Sequence, residues 1–110
     1  MLDGGVRVVS VRGELDLGTA PELQGPLDEA VAAKEPLLLD LSRCEFIDST
    51  GIALIVRTWQ SLGDGEAAGG RVAICSGNEQ VQRVLEITGL TREIPVRESR
   101  EAALAVLRGG

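Results

Sequence analysis

Two hydrophobic periods divide the chain. Val6, Val8, Val9 and Val11 make 6–12 a valine-rich stretch, and 36–41 is a compact apolar run that ends near Asp40. Both read as buried or half-buried strands, and 71–75 repeats the pattern. A short fourth candidate at 94–96 is weakened by Pro95, which cannot donate to a sheet ladder and so belongs at an edge or a strand end.

Helical spacing fills the intervals. Thr19-Ala20-Pro21-Glu22 fits a capping box, in which hydroxyl and carboxylate satisfy orphan amides, and Leu23, Leu27, Ala30 and Val31 follow on one face. Gly25-Pro26 interrupts it, and because proline inside a helix costs about 3 kcal/mol, a kink or a broken first turn is predicted there. A second helix begins near Ser49, carries Ile52, Ile55, Val56, Trp59 and Leu62 on one face, leaves its other face free for a partner, and ends in a glycine-rich loop at 63–70. Ser76-Gly77-Asn78-Glu79 offers another capping box, opening a helix with Val81, Val84, Leu85 and Thr88, and Gly89 sits where a C-terminal glycine cap belongs. Ser99 starts a last helix through Ala103, Leu104 and Leu107, stopped by Gly109. Strands alternating with helices predict an α/β domain over 1–110: a mixed, mostly parallel sheet of four to five strands with about four helices packed on it.

Composition narrows the functions open to such a domain. At 110 residues one core is expected, and with 44% apolar but only 2% aromatic residues it must be built from Val, Leu, Ile and Ala, with Trp59 and Phe46 the only large rings. That leaves no material for stacking nucleic-acid bases, and a net charge of −6 disfavours a polyanion, so no direct nucleic-acid partner is expected. A neutral or basic protein surface is the expected partner. The first residues lack a basic segment followed by an apolar stretch, and no apolar run approaches the roughly 20 residues of a membrane span, so a cytoplasmic protein without membrane insertion is expected. Cys44 and Cys75 lack CxxC spacing and there is no histidine, which argues against a metal or other cofactor and makes both thiols small buried apolar groups. The missing histidine also removes the usual general base, so an enzyme is not expected.

Chemistry in open α/β sheets gathers where strands end and the next helices begin. The segment there is Asp40-Leu-Ser-Arg-Cys-Glu-Phe-Ile-Asp48-Ser49-Thr50-Gly51. Asp48 or Ser49 can cap the second helix, Thr50 lies in its first turn, and Gly51 leaves the backbone bare for another surface to approach. Taken alone, this is ordinary capping chemistry. It also presents a hydroxyl at a helix start, where a phosphate would add about −1.5 to −2 charges and take the chain from −6 to about −8. The positive helix end would favour that phosphate by roughly 0.3–1 kcal/mol while Asp48 repels it, so the effect would fall on an interface more than on the fold.

Several separated segments together resemble the STAS domain family. They are Gly13-Glu14-Leu15-Asp16 with the Thr19-Ala-Pro-Glu-Leu helix start, Asp40-Leu-Ser, Phe46-Ile-Asp48-Ser49-Thr50-Gly51, and Val84-Leu-Glu-Ile-Thr-Gly-Leu90, spanning most of the chain from Val6. The resemblance implies an anti-sigma factor antagonist: the unphosphorylated form binds an anti-sigma factor that is also a serine kinase and frees its sigma factor, and phosphorylation reverses this. The acceptor maps to Ser49, with Asp48, Thr50 and Gly51 in the docking turn; a serine phosphatase of the metal-dependent class restores the binding form. Glu14 and Asp16 resemble the family's acidic pair before the first helix, read either as partner contacts or as a solvated turn. A monomer or weak dimer is expected. Two departures stand out: only Met1 to Gly5 precede Val6, so the family's first strand is short or missing and leaves an exposed edge, and Gly25-Pro26 falls inside the first helix.

A receiver domain fails on chemistry, since it needs an acidic Mg²⁺ cluster and a late lysine and there is no Lys after Lys34. A nucleotide-binding enzyme lacks GxxxxGK[ST]. The stronger alternative is a constitutive STAS interaction module, such as a soluble accessory subunit of a membrane transport complex, in which Ser49 only caps a helix.

Overall fold

A computed structural model describes residues 2–3, 5–62 and 72–108. Its elements run β1 (Leu2–Asp3), β2 (Val6–Leu15), α1 (Ala20–Ala33), β3 (Leu37–Ile47), α2 (Ser49–Leu62), β4 (Val72–Cys75), α3 (Glu79–Ile87), α4 (Leu90–Glu93), β5 (Val96–Arg97) and α5 (Arg100–Leu107). The five strands form one sheet in the order β1-β2-β3-β4-β5, with β1 antiparallel to β2 and the remaining neighbours parallel. The fold is the expected α/β arrangement, with the two-residue strand β1 ahead of Val6. The glycine-rich loop at 63–70, Arg71 and Gly109 lie outside the described residues.

Strands that neighbour in chain order and run parallel place successive crossover helices on the same face. Accordingly Leu23, Leu27 and Ala30 of α1, Leu54 and Ile55 of α2, Val81 and Leu85 of α3 and Leu90 of α4 share one core with Val9, Val11, Leu37, Leu39, Val72 and Ile74. The opposite face belongs to α5: Ala103 and Leu104 pack on Val6, Val8, Leu38, Ala73 and Cys75. Arg7 ties the start of β2 to α1 and the turn after it, its guanidinium lying 3.6 Å from the Glu29 carboxylate and 2.7 Å from that of Glu35.

Several local expectations are corrected. β2 and β3 extend past 12 and 41 to Leu15 and Ile47, absorbing register shifts between Ser10 and Arg12 and between Gly13 and Glu14. The fourth parallel strand is Val96–Arg97, and Pro95 sits just before it as a strand-end acceptor for the Ile74 amide. α1 runs unbroken through Gly25-Pro26. Proline removes the donor for the carbonyl four residues earlier, but Glu22, Gly25 and Pro26 are all exposed, so water can take its place. The box at Ser76 does not form; Asn78 is the cap of α3, its Oδ1 accepting from the amides of Gln80 and Val81, while the fully buried Ser76 hydroxyl has no partner among the described residues. Gly89 does take the left-handed conformation expected of it, at φ 83°, but it leads directly into the unforeseen short helix α4. Ser99 caps α5 as expected, accepting from the Ala102 amide. Both cysteines are buried, which pushes their thiols up and away from reactivity.

Asp40 is the last residue of β3 paired with β4, opposite Cys75, and is buried beside Arg100 of α5. Burial alone would raise its carboxyl, but the Ser42 hydroxyl at 2.6 Å, the Ser42 amide at 3.0 Å and the Arg100 guanidinium at 2.8 Å hold it below its ordinary 3.8. A depressed carboxyl contributes stability that is complete above the unfolded value and lost as the pH falls through the folded one. Urea midpoints should therefore drop as the pH falls below about 4, and Asp40→Asn should lower the neutral-pH midpoint while flattening that acid limb.

Candidate functional site

The site is built on the carboxyl ends of β2 and β3. Leu15 and Ile47 are register partners, and the Asp48 amide donates to the Leu15 carbonyl at 3.2 Å, so the β2–α1 turn and the start of α2 leave the sheet side by side. Asp48, not Ser49, is the cap of α2: its Oδ1 accepts from the amides of Thr50 at 2.9 Å and Gly51 at 3.1 Å, and its carbonyl takes the Ile52 amide at 3.0 Å. This relieves Ser49 of structural duty. Ser49 is the first helical residue, exposed, and its hydroxyl has no hydrogen-bond partner among the described residues. Thr50 behind it is half-buried.

Gly51 departs from its sequence reading. It is buried, and the surface that approaches its bare backbone is the protein's own: a Cβ here would stand 2.7 Å from the Leu15 carbonyl oxygen, 2.8 Å from Leu15 Cγ and 2.9 Å from Ile47 Cγ1. Gly51 seats the turn that carries Ser49 and offers no outer surface of its own. The α2 face behind it is Gly51, Leu54, Ile55 and Thr58, the Thr58 hydroxyl donating to the Leu54 carbonyl, with Ile52, Val56, Trp59 and Leu62 packed at its margins.

The acidic pair splits into two roles. Asp16 Oδ1 accepts from the amides of Gly18 and Thr19, both at 3.0 Å, which makes it the organiser of the turn. The Thr19 hydroxyl is turned upstream, donating to the Glu14 carbonyl at 2.8 Å and accepting from the Asp16 amide at 2.9 Å, so the expected capping box of α1 is absent. Glu14 is exposed beside its register partner Phe46, with no side-chain partner among the described residues.

Two residues here were not foreseen. Leu17, at the tip of the Asp16-organised turn, is 74% exposed, and Phe46, three residues before Ser49, is 49% exposed. The available signal for Leu17 was an apolar residue stranded between Asp16 and Gly18, outside any helical or strand period. Among the described residues no cluster suited to a metal ion occurs, and no helix is long and apolar enough to cross a membrane.

This geometry is that of a known class. The family model of the STAS domain matches residues 2–103, and the chain belongs to the STAS domain family. Among curated relatives, the anti-sigma F factor antagonist of Paenibacillus polymyxa is 31% identical over 94% of this chain and 87% of its own, and the anti-sigma-F factor antagonist RsfB of Mycobacterium tuberculosis is 31% identical over 96% and 84%. The solved structure of an anti-sigma factor antagonist from Mycobacterium paratuberculosis superposes with a TM-score of 0.88 at 32% identity, covering 98% of this chain and 90% of that one.

Two substitutions probe the scaffold. Gly51→Ala should destabilise by about 1–3 kcal/mol, since backbone and two core side chains must move. Asp48→Ala should cost about 1 kcal/mol through the lost cap. Urea unfolding of both variants checks these values, and an unchanged midpoint for Gly51→Ala would contradict the packing described.

Proposed function

We propose that this protein is an anti-sigma factor antagonist that acts by binding and not by catalysis. Unphosphorylated, it docks the face around Ser49 on an anti-sigma factor that is also a serine kinase, so that the sigma factor is freed. Phosphorylation of Ser49 by that kinase ends the contact, and a serine phosphatase of the metal-dependent class restores it. The setting is the cytoplasm, with the protein working as a monomer or weak dimer.

The observation that carries this reading is the exposed Ser49 hydroxyl with no hydrogen-bond partner among the described residues, beside a helix cap supplied by Asp48. A phosphate there breaks no hydrogen bond of the described fold. It does bring about −1.5 to −2 charges to a surface flanked by exposed Leu17 and Phe46. The amides of the helix start favour the anion, and the adjacent Asp48 carboxylate opposes it. A partner packed on that surface would have to desolvate the dianion or supply a counter-charge, which is the physical basis for release. Thr50 and Glu14 border the same contact, whereas Asp16 and Gly51 serve it from within by fixing the two turns.

Ser49→Ala should retain the partner kinase while resisting phosphorylation, and Ser49→Asp should weaken binding by roughly tenfold or more. Capture of the partner on immobilised wild-type and variant proteins, quantified by mass spectrometry, decides the matter. Equal retention by Ser49→Asp and wild type would assign the protein instead to the constitutive modules. Leu17→Ser should also weaken capture with an unchanged Tm, because the side chain is exposed in the free protein; a fall in Tm would instead give it a packing role.

A further inference from the structure

The sheet face opposite α1–α4 is only partly covered. α5 packs on Val6, Val8, Leu38, Ala73 and Cys75, and beyond its N-terminus the middle of β2 and of β3 lines an open cleft of about 290 Å³. Its polar lining comes from Ser10, Arg12, Asp40, Ser42, Arg43 and Arg100. Three guanidinium groups against one carboxylate leave this cleft at +2, in a chain whose net charge is −6.

The placement of the arginines is the telling feature. Arg12 and Arg43 are register partners on adjacent parallel strands, just past the register shift that follows Ser10, and both line this cleft. Neighbouring strands lie roughly 4.8 Å apart, and like charges placed side by side across a ladder destabilise it. Both residues are exposed, and neither has an ion-pair or hydrogen-bond partner among the described residues. The third arginine is held differently. Arg100 Nη2 is 2.8 Å from Asp40 Oδ2, while the opposite oxygen, Oδ1, takes the Ser42 hydroxyl and amide. The single carboxylate of the cleft is therefore already compensated, and the uncompensated charge is that of the Arg12–Arg43 pair.

We propose that this cleft binds a small soluble anion bearing phosphoryl groups, held between Arg12 and Arg43. Guanidinium groups pair with phosphoryl oxygens through two parallel hydrogen bonds, and two of them side by side match a dianion. The Ser10 hydroxyl at the same wall can donate further, whereas that of Ser42 is already committed to Asp40. The lining holds no aromatic side chain, so recognition centres on the phosphoryl groups. This site lies on the other side of the sheet from the α2 face and does not depend on the role of Ser49.

The test uses the full chain and pyrophosphate as the probe, with sodium chloride at matched ionic strength as reference. At tenfold excess over its Kd, pyrophosphate should raise Tm by roughly 4–6 °C. Amide shifts in NMR should centre on Ser10, Arg12 and Arg43. The Arg12→Gln/Arg43→Gln double variant should lose the response, and should melt no lower than wild type without ligand, since a like-charge pair has been removed. The proposal is overturned if pyrophosphate does no more than chloride, if the double variant responds as wild type does, or if citrate gives the same rise and the same amide shifts as pyrophosphate.

Discussion

The contact between Leu15 and the first turn of α2 is the constraint on which the site depends. Leu15 closes β2 as the register partner of Ile47, accepts the Asp48 amide through its carbonyl, and lies against Gly51 so closely that no side chain could be added there. Three elements are thereby fixed at one point: the end of β2, the end of β3 and the start of α2. The orientation of Ser49 follows from this junction, and so does the proximity of the Asp16 turn. The residue that does most to place the hydroxyl is thus a buried leucine some thirty positions earlier in the chain.

A second constraint acts at the level of topology. Because the parallel strands neighbour one another in chain order, α1 to α4 crowd one face and α5 alone is left for the other. One helix of eight residues cannot cover five strands. The part of that face beyond the N-terminus of α5 is left open to solvent, and the polar residues Ser10, Arg12, Asp40, Ser42 and Arg43 occupy it. Charge on that side and the hydroxyl on the other therefore share a common origin in the sheet order.

The fold was largely legible because hydrophobic period and turn chemistry agree along most of the chain. Valine-rich and leucine-rich runs marked β2, β3 and β4, and Asp48-Ser49-Thr50-Gly51 marked a strand-to-helix corner. The misreadings came where several polar residues compete for the same amides. Thr19 looked like a cap, yet its hydroxyl is drawn upstream by the Glu14 carbonyl and the Asp16 amide, a competition no spacing rule displays. Ser76 lost to Asn78 because the chain there is still buried alongside β5 and turns two residues later. Pro26 was tolerated because the residues that bear its cost are exposed. Of the site, the exposed hydroxyl and its neighbouring carboxylate could be read directly. The burial of Gly51, the exposure of Leu17 and the pairing of Arg12 with Arg43 depend on strand register, and register carries a bulge that the sequence pattern does not reveal.

The shortness of β1 leaves a further mark on the molecule. Among the described residues β1 pairs with Val6 and Arg7, and the rest of the ten-residue β2 has no strand partner on that side. An uncovered strand of that length is a template on which a second chain can add and begin a polymer. Here the exposed stretch carries Arg12 and Glu14, and its ladder to β3 is broken by two register shifts around Gly13, which has φ +76°. Charge and irregular twist both frustrate edge-to-edge growth. The features that look like imperfections of the strand thus act as protection against edge-to-edge growth.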